Sequence, residues 1–213
     1  MLRLLHLYPM KTIVYVDGFN LYYGSLRGTP CKWLNLQRLC ELLLPQNEII
    51  AIKYFTAKVS ARPHDPDQPI RQQTYLRALQ TLPNVEIIFG HFLAHEISMP
   101  LASNPAKSVK VIKTEEKGSD VNIAAHLVND GHKQRFDVAV LITNDSDLLE
   151  PLKIVRYELN LPVGVLNPQK KASRVLAKHA SFIKRIRRGV LQASQFAITL
   201  RDAKGTFRKP SSW

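Results

Sequence analysis

The stretch FDVAVLITNDSDLLE, residues 136–150, places the strongest constraint on how this chain can fold. Residues 138–142 form a continuous apolar run that is rich in β-branched side chains and too short for a helix, which indicates a strand buried on both faces. Polar residues 143–147 follow at once, and the apolar residues beyond them take up helical spacing. In open α/β sheets, ligands bind where a parallel strand ends and the next helix begins. The stretch therefore predicts an α/β fold with a functional site near residues 143–147.

Helix capping is the alternative explanation for these polar residues. Asp145 or Ser146 could serve as the N-cap, with Asp147 and Glu150 near the positive end of the helix. Capping requires only one such residue, whereas this stretch combines two acids, an amide and two hydroxyls. We therefore favour a functional site, in which capping is a secondary role of Ser146 or Asp147.

A second apolar run, TIVYV at residues 12–16, also predicts a buried strand that ends in polar residues. Asp17 and Asn20 follow it directly, so an acid and an amide again lie at the carboxyl end of a strand. Strands of a parallel sheet share one direction, and their carboxyl ends share one edge. Asp17 is therefore expected to lie near the polar residues of the opening stretch.

A third acidic group, TEEKGSD, precedes a predicted helix over residues 118–131. Ser119 or Asp120 could simply cap this helix, and Glu115 and Glu116 could be a favourable charge pair at its start. Taken alone, the group does not distinguish capping from a functional site.

Together, the three groups predict a metal site. Asp17, Asp120 and Asp145 or Asp147 all fall at strand ends or helix starts of one predicted sheet. Clustered carboxylates repel one another unless a cation lies between them. Oxygen ligands without Cys or His suit Mg²⁺ or Mn²⁺. Such a pocket is typical of phosphodiester hydrolysis, in which a metal ion activates water and a basic surface holds the nucleic-acid strand.

Strands and helices alternate along the chain, which favours a mostly parallel sheet with helices on both faces. Residues 94–110 lack clear periodicity and are interpreted as a loop or extended flap, and the last residues, RDAKGTFRKPSSW, as an irregular tail. The other predicted strands are 48–57, 85–93, 162–166 and 182–186, and the other predicted helices are 33–44, 68–82 and 172–180.

The positive charge is concentrated near the C-terminus. The formal net charge is +13, and residues 169–213 hold 12 of the 30 Lys and Arg residues but only one of the 17 acids. A basic arm of this kind fits a polyanion, most simply nucleic acid, and a solvated face is the alternative. Lys184, Arg185, Arg187 and Arg188 are candidate phosphate contacts within it.

Cysteine usage indicates a reducing compartment, so the expected localisation is cytoplasmic. Cys31 and Cys40 match no metal-ligand spacing and are interpreted as reduced thiols, with Cys40 in the core. The first ten residues do not have the pattern of a signal peptide, and translation could begin at Met10. No apolar run reaches the roughly 18 residues of a membrane span.

Three segments together resemble the NYN domain, the LabA-like branch of the PIN-like nuclease superfamily. They are VYVDGFNLYYG, EEKGSDVNIAAHLVNDG and VLITNDSDLLEPLK, in this order. The resemblance covers about residues 11–213 and implies a PIN-like three-layer α/β/α fold, with a nuclease domain over 11–188 and a basic tail over 189–213. It also implies a metal-dependent ribonuclease that leaves a 5′-phosphate and a 3′-hydroxyl.

The resemblance also implies roles for individual residues. Asp17, Asp120 and Asp145 would be the metal ligands, and Asp147 would be a direct or water-mediated partner. Asn20 would orient the substrate or a metal-bound water. The implied substrate contacts are Lys117, Thr143, Asn144, Ser146 and, in the basic arm, Lys184, Arg185 and Arg187; many relatives have Gly at the position of Asn144.

Other functions and other residues remain open at this point. A PIN-like module could hold RNA or a protein without cutting it, and a homodimer could form through an exposed edge strand. A haloacid-dehalogenase type phosphatase requires a second Asp two residues after the first, where this chain has Phe19. The weaker candidate residues are His91 and His95 as a zinc pair, His126, and Phe19, Tyr22 and Tyr23 as base-stacking rings.

Overall fold

The computed structural model describes residues 9–213. The predictions about a signal peptide and the translation start concern residues 1–10 and fall largely outside this part of the chain. The strands are β1 (Met10–Asp17), β2 (Asn47–Thr56), β3 (Val85–Phe89), β4 (His91–Leu101), β5 (Asn104–Lys117), β6 (Val138–Ile142), β7 (Val163–Asn167), β8 (Phe182–Arg185), β9 (Thr199–Asp202) and β10 (Gly205–Arg208). The α-helices are α1 (Gly18–Leu21), α2 (Leu36–Leu43), α3 (Gln68–Leu79), α4 (Ser119–His132), α5 (Leu149–Lys153), α6 (Arg174–His179) and α7 (Arg188–Ala193).

Six strands form one parallel sheet in the order β3-β2-β1-β6-β7-β8. β1 lies near the centre, between β2 and β6, so the carboxyl ends of these three strands meet at one edge. Helices cover both faces, which confirms the three-layer α/β/α fold.

β1 contributes to a separate hydrophobic core on each face of the sheet. Val14 and Val16 pack with α2 and α3 on one face, whereas Ile13 and Tyr15 pack with α4 and α5 on the other. Successive side chains of a strand point to opposite faces, so a strand buried on both faces is a continuous apolar run. The interpretation of TIVYV and VAVLI as buried strands is confirmed.

The interpretation of residues 94–110 as a loop or flap is wrong. β4 and β5 form a long antiparallel hairpin, and the strand predicted over 85–93 is interrupted at Gly90 between β3 and β4. Glu115 and Glu116 lie in β5, so they are not a charge pair in the first turn of a helix. Most side chains of the hairpin are exposed on both faces. Without a buried face it has no alternating apolar pattern, and the sequence does not reveal it.

The interpretation of the last residues as an irregular tail is also wrong. β9 and β10 form an antiparallel hairpin whose Phe207 is buried against Trp33. Arg77 of α3 pairs with Asp202 through two hydrogen bonds of 2.7 Å and lies over the Phe207 ring. The tail therefore packs on the sheet domain. The boundary between a domain over 11–188 and a tail over 189–213 stays a prediction.

Two further findings concern the helices and the cysteines. Within residues 9–213, no helix combines the length and the apolar character that a membrane crossing requires. Cys31 and Cys40 are both buried free thiols, and Cys40 lies in the core as expected.

Candidate active site

Asp17 ends β1 and lies at the carboxyl edge of the sheet, with a relative exposure of 5%. Its Oδ1 accepts a hydrogen bond from the backbone N–H of Asn20 at 2.8 Å, and its Oδ2 accepts one from Thr143 Oγ1 at 3.2 Å. Gly18 follows because a Cβ at that position would lie 2.6 Å from the carbonyl oxygen of Phe55 and 2.8 Å from the Tyr54 ring. The carboxylate is therefore held in one orientation.

Asp120 lies in the first turn of α4. The residue before this helix, Gly118, has φ 98°, a left-handed conformation that favours glycine and turns the chain from β5 into the helix. Glu116, at the end of β5, accepts hydrogen bonds from the backbone N–H of Ser119 at 3.2 Å and from its hydroxyl at 2.8 Å. Glu116 thus supports the start of α4 and brings a further carboxylate to the same region.

The electrostatics place these carboxylates in one cluster. Burial, together with the charges of Asp120 and Asp145, raises the pKa of Asp17 to about 6, although the hydrogen bonds from Asn20 and Thr143 lower it. Burial also raises the pKa of Asp120, and the charges of Asp145, Glu116 and Asp147 add to this effect. The neighbouring acids therefore make ionisation of Asp17 and Asp120 less favourable, as clustered carboxylates do.

The loop after β6 is organised by its own side chains. The backbone N–H of Asp145 donates to Thr143 Oγ1 at 3.0 Å. Oδ1 of Asp145 accepts from the backbone N–H of Asp147 at 3.0 Å, which caps a 3₁₀ turn over Ser146–Leu148. The residue that caps this turn is therefore Asp145, as the capping alternative allowed, and not Ser146 or Asp147, to which we assigned capping as a secondary role. An N-cap can use one carboxylate oxygen and leave the other for a ligand.

Asn144 joins three loops at the edge of the sheet. Its backbone N–H donates to Asn20 Oδ1 at 3.0 Å, and its side-chain Oδ1 accepts from the backbone N–H of Ser173 at 2.7 Å. Its Nδ2 donates to Gln169 Oε1 at 3.1 Å and to the carbonyl of Lys171 at 3.2 Å. The side chain predicted to contact substrate is thus used to position the loops after β1, β6 and β7.

Asn144→Ala is expected to reduce the activity of the site without unfolding the protein. The variant loses the side-chain bonds to Gln169, Lys171 and Ser173 but keeps its backbone bond to Asn20, so we expect a loss of about 1–3 kcal/mol in stability. Chemical denaturation and amide exchange of residues 169–173 measure this effect. Exchange in that segment equal to that of the unchanged protein would contradict the positioning role.

A cavity of about 740 Å³ opens at this edge of the sheet. Four of the predicted site residues line it, namely Asp17, Asn20, Asp120 and Asp145. Glu116 also lines it. The sequence reasoning did not count Glu116 among the site residues, although the EEKGSD segment that contains it was part of the resemblance.

The other predicted site residues lie outside the lining of this cavity. Thr143 and Asn144 support it from behind, and Ser146 and Asp147 are exposed beside it. Lys117 pairs with Glu115 at 3.2 Å, and Lys184 Nζ donates to the carbonyl of Leu43 at 2.8 Å on the edge strand β8. Arg185 and Arg187 are exposed near that same edge. The roles of these residues as substrate contacts stay predictions.

The histidines and rings of the sequence analysis have different positions. His126 Nδ1 lies 3.1 Å from Lys53 Nζ and packs on Phe55, on the side of the sheet that carries α4. His91 and His95 lie in β4, opposite Lys117 and Lys113. Phe19, Tyr22 and Tyr23 line the cavity.

The acids at this edge of the sheet are candidate metal ligands. Among residues 9–213, no three His, Cys, Asp or Glu side chains are arranged so that they could hold one metal ion together. Magnesium does not need three protein ligands, because it keeps several waters and commonly binds through one or two carboxylates and substrate phosphates. The all-oxygen set of Asp17, Asp120, Asp145 and Glu116 fits that requirement, and the repulsion among these acids favours a bound cation.

The fold agrees with the comparisons with known proteins. The family model described as "NYN domain" matches residues 11–187, and the chain belongs to this nuclease-like family. NYN domains in general bind RNA, and NYN and PIN-like nucleases in general use divalent metal ions.

Two individual proteins extend this comparison. The chain is similar to the 6-hydroxy-3-succinoylpyridine 3-monooxygenase HspA of Pseudomonas putida (strain DSM 28022 / S16), with 34% identity over an alignment of 237 residues. The alignment covers 96% of this chain and 76% of HspA. A crystal structure of VPA0982, a protein of unknown function from Vibrio parahaemolyticus RIMD 2210633, superposes with a TM-score of 0.57 at 18% identity, covering 88% of this chain and 98% of that one. At this identity, the second comparison supports the fold alone.

Proposed function

We propose that this protein is a metal-dependent ribonuclease that hydrolyses RNA phosphodiester bonds. The observation that carries the proposal is the cluster of Asp17, Asp120 and Asp145, which line one cavity at the carboxyl edge of a parallel sheet. The charges of Asp120 and Asp145 raise the pKa of Asp17, and the charge of Asp145 raises that of Asp120. A cluster of carboxylates that repel one another destabilises the fold unless it serves a ligand. The chain's membership of the NYN family supports the same function. Within this family we propose that it belongs to the LabA-like branch.

The acids of the cluster would hold Mg²⁺ or Mn²⁺. Asp17, Asp120 and Asp145 are the proposed ligands, of which one or two would bind an ion directly and the rest through its waters. Asp147 would act from outside the cavity through water. When bound, the metal ion supplies an activated water and stabilises negative charge on the phosphate.

The chain's own residues orient the reacting groups. The backbone N–H of Asn20 and the hydroxyl of Thr143 fix the two oxygens of Asp17, and Asn20 Oδ1 in turn holds the loop after β6. The attacking water enters in line with the leaving 3′ oxygen, so the products carry a 5′-phosphate and a 3′-hydroxyl. The basic residues near the C-terminus attract the RNA backbone.

RNA incubated with the purified protein tests this function. We expect cleavage of RNA with Mn²⁺ or Mg²⁺ and no cleavage with EDTA, and the new ends should be a 5′-phosphate and a 3′-hydroxyl. RNA that binds but stays intact with either metal ion would instead support a non-catalytic RNA-binding module. Products with a cyclic phosphate would overturn the proposed mechanism, because they arise from attack by the 2′-hydroxyl.

A second candidate function is oxygenation of an aromatic acid. HspA, by its name, acts on a hydroxypyridine that carries a succinoyl carboxylate. The cavity favours such a ligand in one respect, because Phe19, Tyr22, Tyr54, Tyr75 and Trp213 line it together with Lys32 and Arg71. Incubation with 6-hydroxy-3-succinoylpyridine, O₂ and an electron donor tests this candidate. Formation of a hydroxylated product would favour it over the ribonuclease.

Localisation and assembly are also proposals. The buried free thiols Cys31 and Cys40 suit a reducing compartment, so we propose that the protein is cytoplasmic. The outer strands β3 and β8 leave exposed edges through which a homodimer could form. Light scattering of the purified protein measures its mass in solution and tests the dimer.

A further inference from the structure

The cavity contains a second cluster of side chains that the acidic site does not use. We call it the cation–tryptophan cluster and define it as Lys32, Arg62, Arg71 and Trp213, all of which line the cavity. Lys32 and Arg62 precede α2 and α3, Arg71 lies in α3, and Trp213 ends the chain. Trp213 of the tail therefore lines the same cavity as the acidic residues.

The positive charge of this cluster is only partly compensated. Arg71 Nη2 pairs with both oxygens of Asp65 at 2.5 Å, which fixes the guanidinium and leaves its other two nitrogens for a ligand. Within residues 9–213, no carboxylate lies within ion-pair distance of Lys32 or Arg62. Partial burial, with repulsion from Arg71 and Lys209, lowers the pKa of Lys32 against the attraction of Asp65. Cations that repel one another around a cavity favour a bound anion, as the acids favour a cation.

The cluster also presents an aromatic ring beside the cations. Lys32 Nζ lies 5.8 Å from the centre of the Trp213 ring, and the Tyr75 ring lies 5.9 Å from it on the α3 side. Tyr75 is buried and donates through its hydroxyl to the carbonyl of Leu34 at 2.9 Å, so it is a fixed support. Trp213 is only partly buried. A supported, accessible ring next to cations is the arrangement on which proteins stack single-stranded bases beside a phosphate.

We propose that the cation–tryptophan cluster is a second RNA subsite, which binds a phosphate on Lys32 and Arg71 and stacks an unpaired base on Trp213. The inference rests on the proposed function and adds to it that the substrate is single-stranded. A base that is paired within a duplex cannot stack on a ring inside a cavity. The strand thus lies along the cavity, with the cleaved bond at the acidic cluster and a neighbouring nucleotide at Trp213.

Binding of labelled single-stranded RNA tests the subsite separately from catalysis. The measurement uses fluorescence anisotropy in EDTA, so that no RNA is cut. We expect Lys32→Glu and Trp213→Ala each to weaken binding by about tenfold, whereas Trp213→Phe, which keeps a ring, should stay within about twofold. Lys133→Glu is the matched control, since it makes the same charge change at an exposed residue at the opposite end of α4 from Asp120. Thermal unfolding checks that each variant is folded.

The outcomes distinguish the subsite from the ribonuclease. Loss of RNA binding in Lys32→Glu and Trp213→Ala but not in Lys133→Glu supports the subsite, even if no RNA is ever cut. Equal weakening by Lys32→Glu and Lys133→Glu, or tight binding by Trp213→Ala, would overturn it, even if the protein cuts RNA. RNA duplex bound as tightly as the single strand would also overturn it. Binding of an aromatic carboxylate to the cluster, without binding of RNA, would overturn the RNA subsite as well.

Discussion

Replacing Asp17 with Asn is expected to stabilise the metal-free protein at pH 7 by about 1–3 kcal/mol. The wild-type carboxylate is 5% exposed, and burial with the charges of Asp120 and Asp145 raises its pKa from 3.8 to about 6. Keeping it ionised in the folded state therefore lowers the free energy of unfolding. Asn can still accept the hydrogen bond from the Asn20 N–H and can donate to Thr143, so the variant removes the charge and keeps the contacts.

The difference between the two proteins should depend on pH in one direction. Between about pH 4 and pH 6, Asp17 is ionised in the unfolded chain and protonated in the folded chain. The loss of unfolding free energy caused by the buried charge is therefore complete only above pH 6. The advantage of Asp17→Asn should therefore be largest at pH 7 and should vanish as the pH falls below 4. Denaturation in EDTA at several pH values measures it. A less stable variant at pH 7, or a difference that does not change with pH, would contradict the electrostatic account.

Magnesium should reverse this order of stability. A cation that binds the folded state stabilises it by an amount that grows with its concentration, and the wild-type cluster is the proposed site. The melting temperature of the wild type should rise with added Mg²⁺, whereas that of Asp17→Asn should change little. Equal shifts for both proteins would place the ion elsewhere.

Replacing Asp130 with Ala is expected to destabilise the protein by about 3–5 kcal/mol, because it leaves a buried lysine without its partner. Asp130 is fully buried, and its Oδ2 accepts from Lys53 Nζ at 2.5 Å and from the Tyr15 hydroxyl at 2.8 Å. Arg135 donates to its Oδ1 at 2.9 Å. Lys53 is itself 6% exposed. The network joins α4, which carries Asp120, to β1 and β2.

Two comparisons separate the buried charge from the loss of side-chain volume. The double variant Lys53→Met/Asp130→Leu should recover most of the lost stability, because it removes both charges and keeps apolar volume. Asp67→Ala, at an exposed residue whose side chain makes no cap bond, should change stability by less than about 0.5 kcal/mol. Urea denaturation measures all three. A double variant as unstable as Asp130→Ala would show that the unpaired buried charge is not the cause of the lost stability.

The same ion pair gives a further acid dependence. Burial raises the pKa of Asp130, but hydrogen bonds from Lys53 and Tyr15 outweigh it, and the net pKa lies below the ordinary value of 3.8. The stability from this group is therefore complete above pH 3.8 and is lost as the pH falls further.

The sequence predicted the sheet and the acidic cluster because each depends on a local pattern. Buried parallel strands such as VAVLI are continuous apolar runs, and the acids that follow them lie at the ends of neighbouring strands. Asp17 and Asp145 were therefore predicted as site residues from the sequence alone, and both line the cavity. The role of Asn144 was not, because its partners at residues 169–173 are joined to it only by the fold.

The remaining features depend on contacts between distant segments. The β4–β5 hairpin is exposed on both faces, so no apolar alternation marks it. The tail was interpreted as irregular because its strands have four residues each, and Phe207 alone of β10 is buried. Trp213 became part of a cavity wall only through its contact with Tyr75. The buried Lys53–Asp130 pair also joins residues far apart in the chain. Sequence patterns carry no signal for such pairings.

The most direct test of the proposed function is cleavage of single-stranded RNA by the wild type and four variants in Mn²⁺. Asp17→Asn, Asp120→Asn and Asp145→Asn should each reduce the cleavage rate by at least about a hundredfold. Asp147→Asn should retain more activity, since Asp147 is exposed and lies outside the cavity lining. Cleavage by Asp17→Asn and Asp145→Asn at the wild-type rate, or undiminished wild-type cleavage in EDTA, would contradict a metal-dependent site at this edge of the sheet.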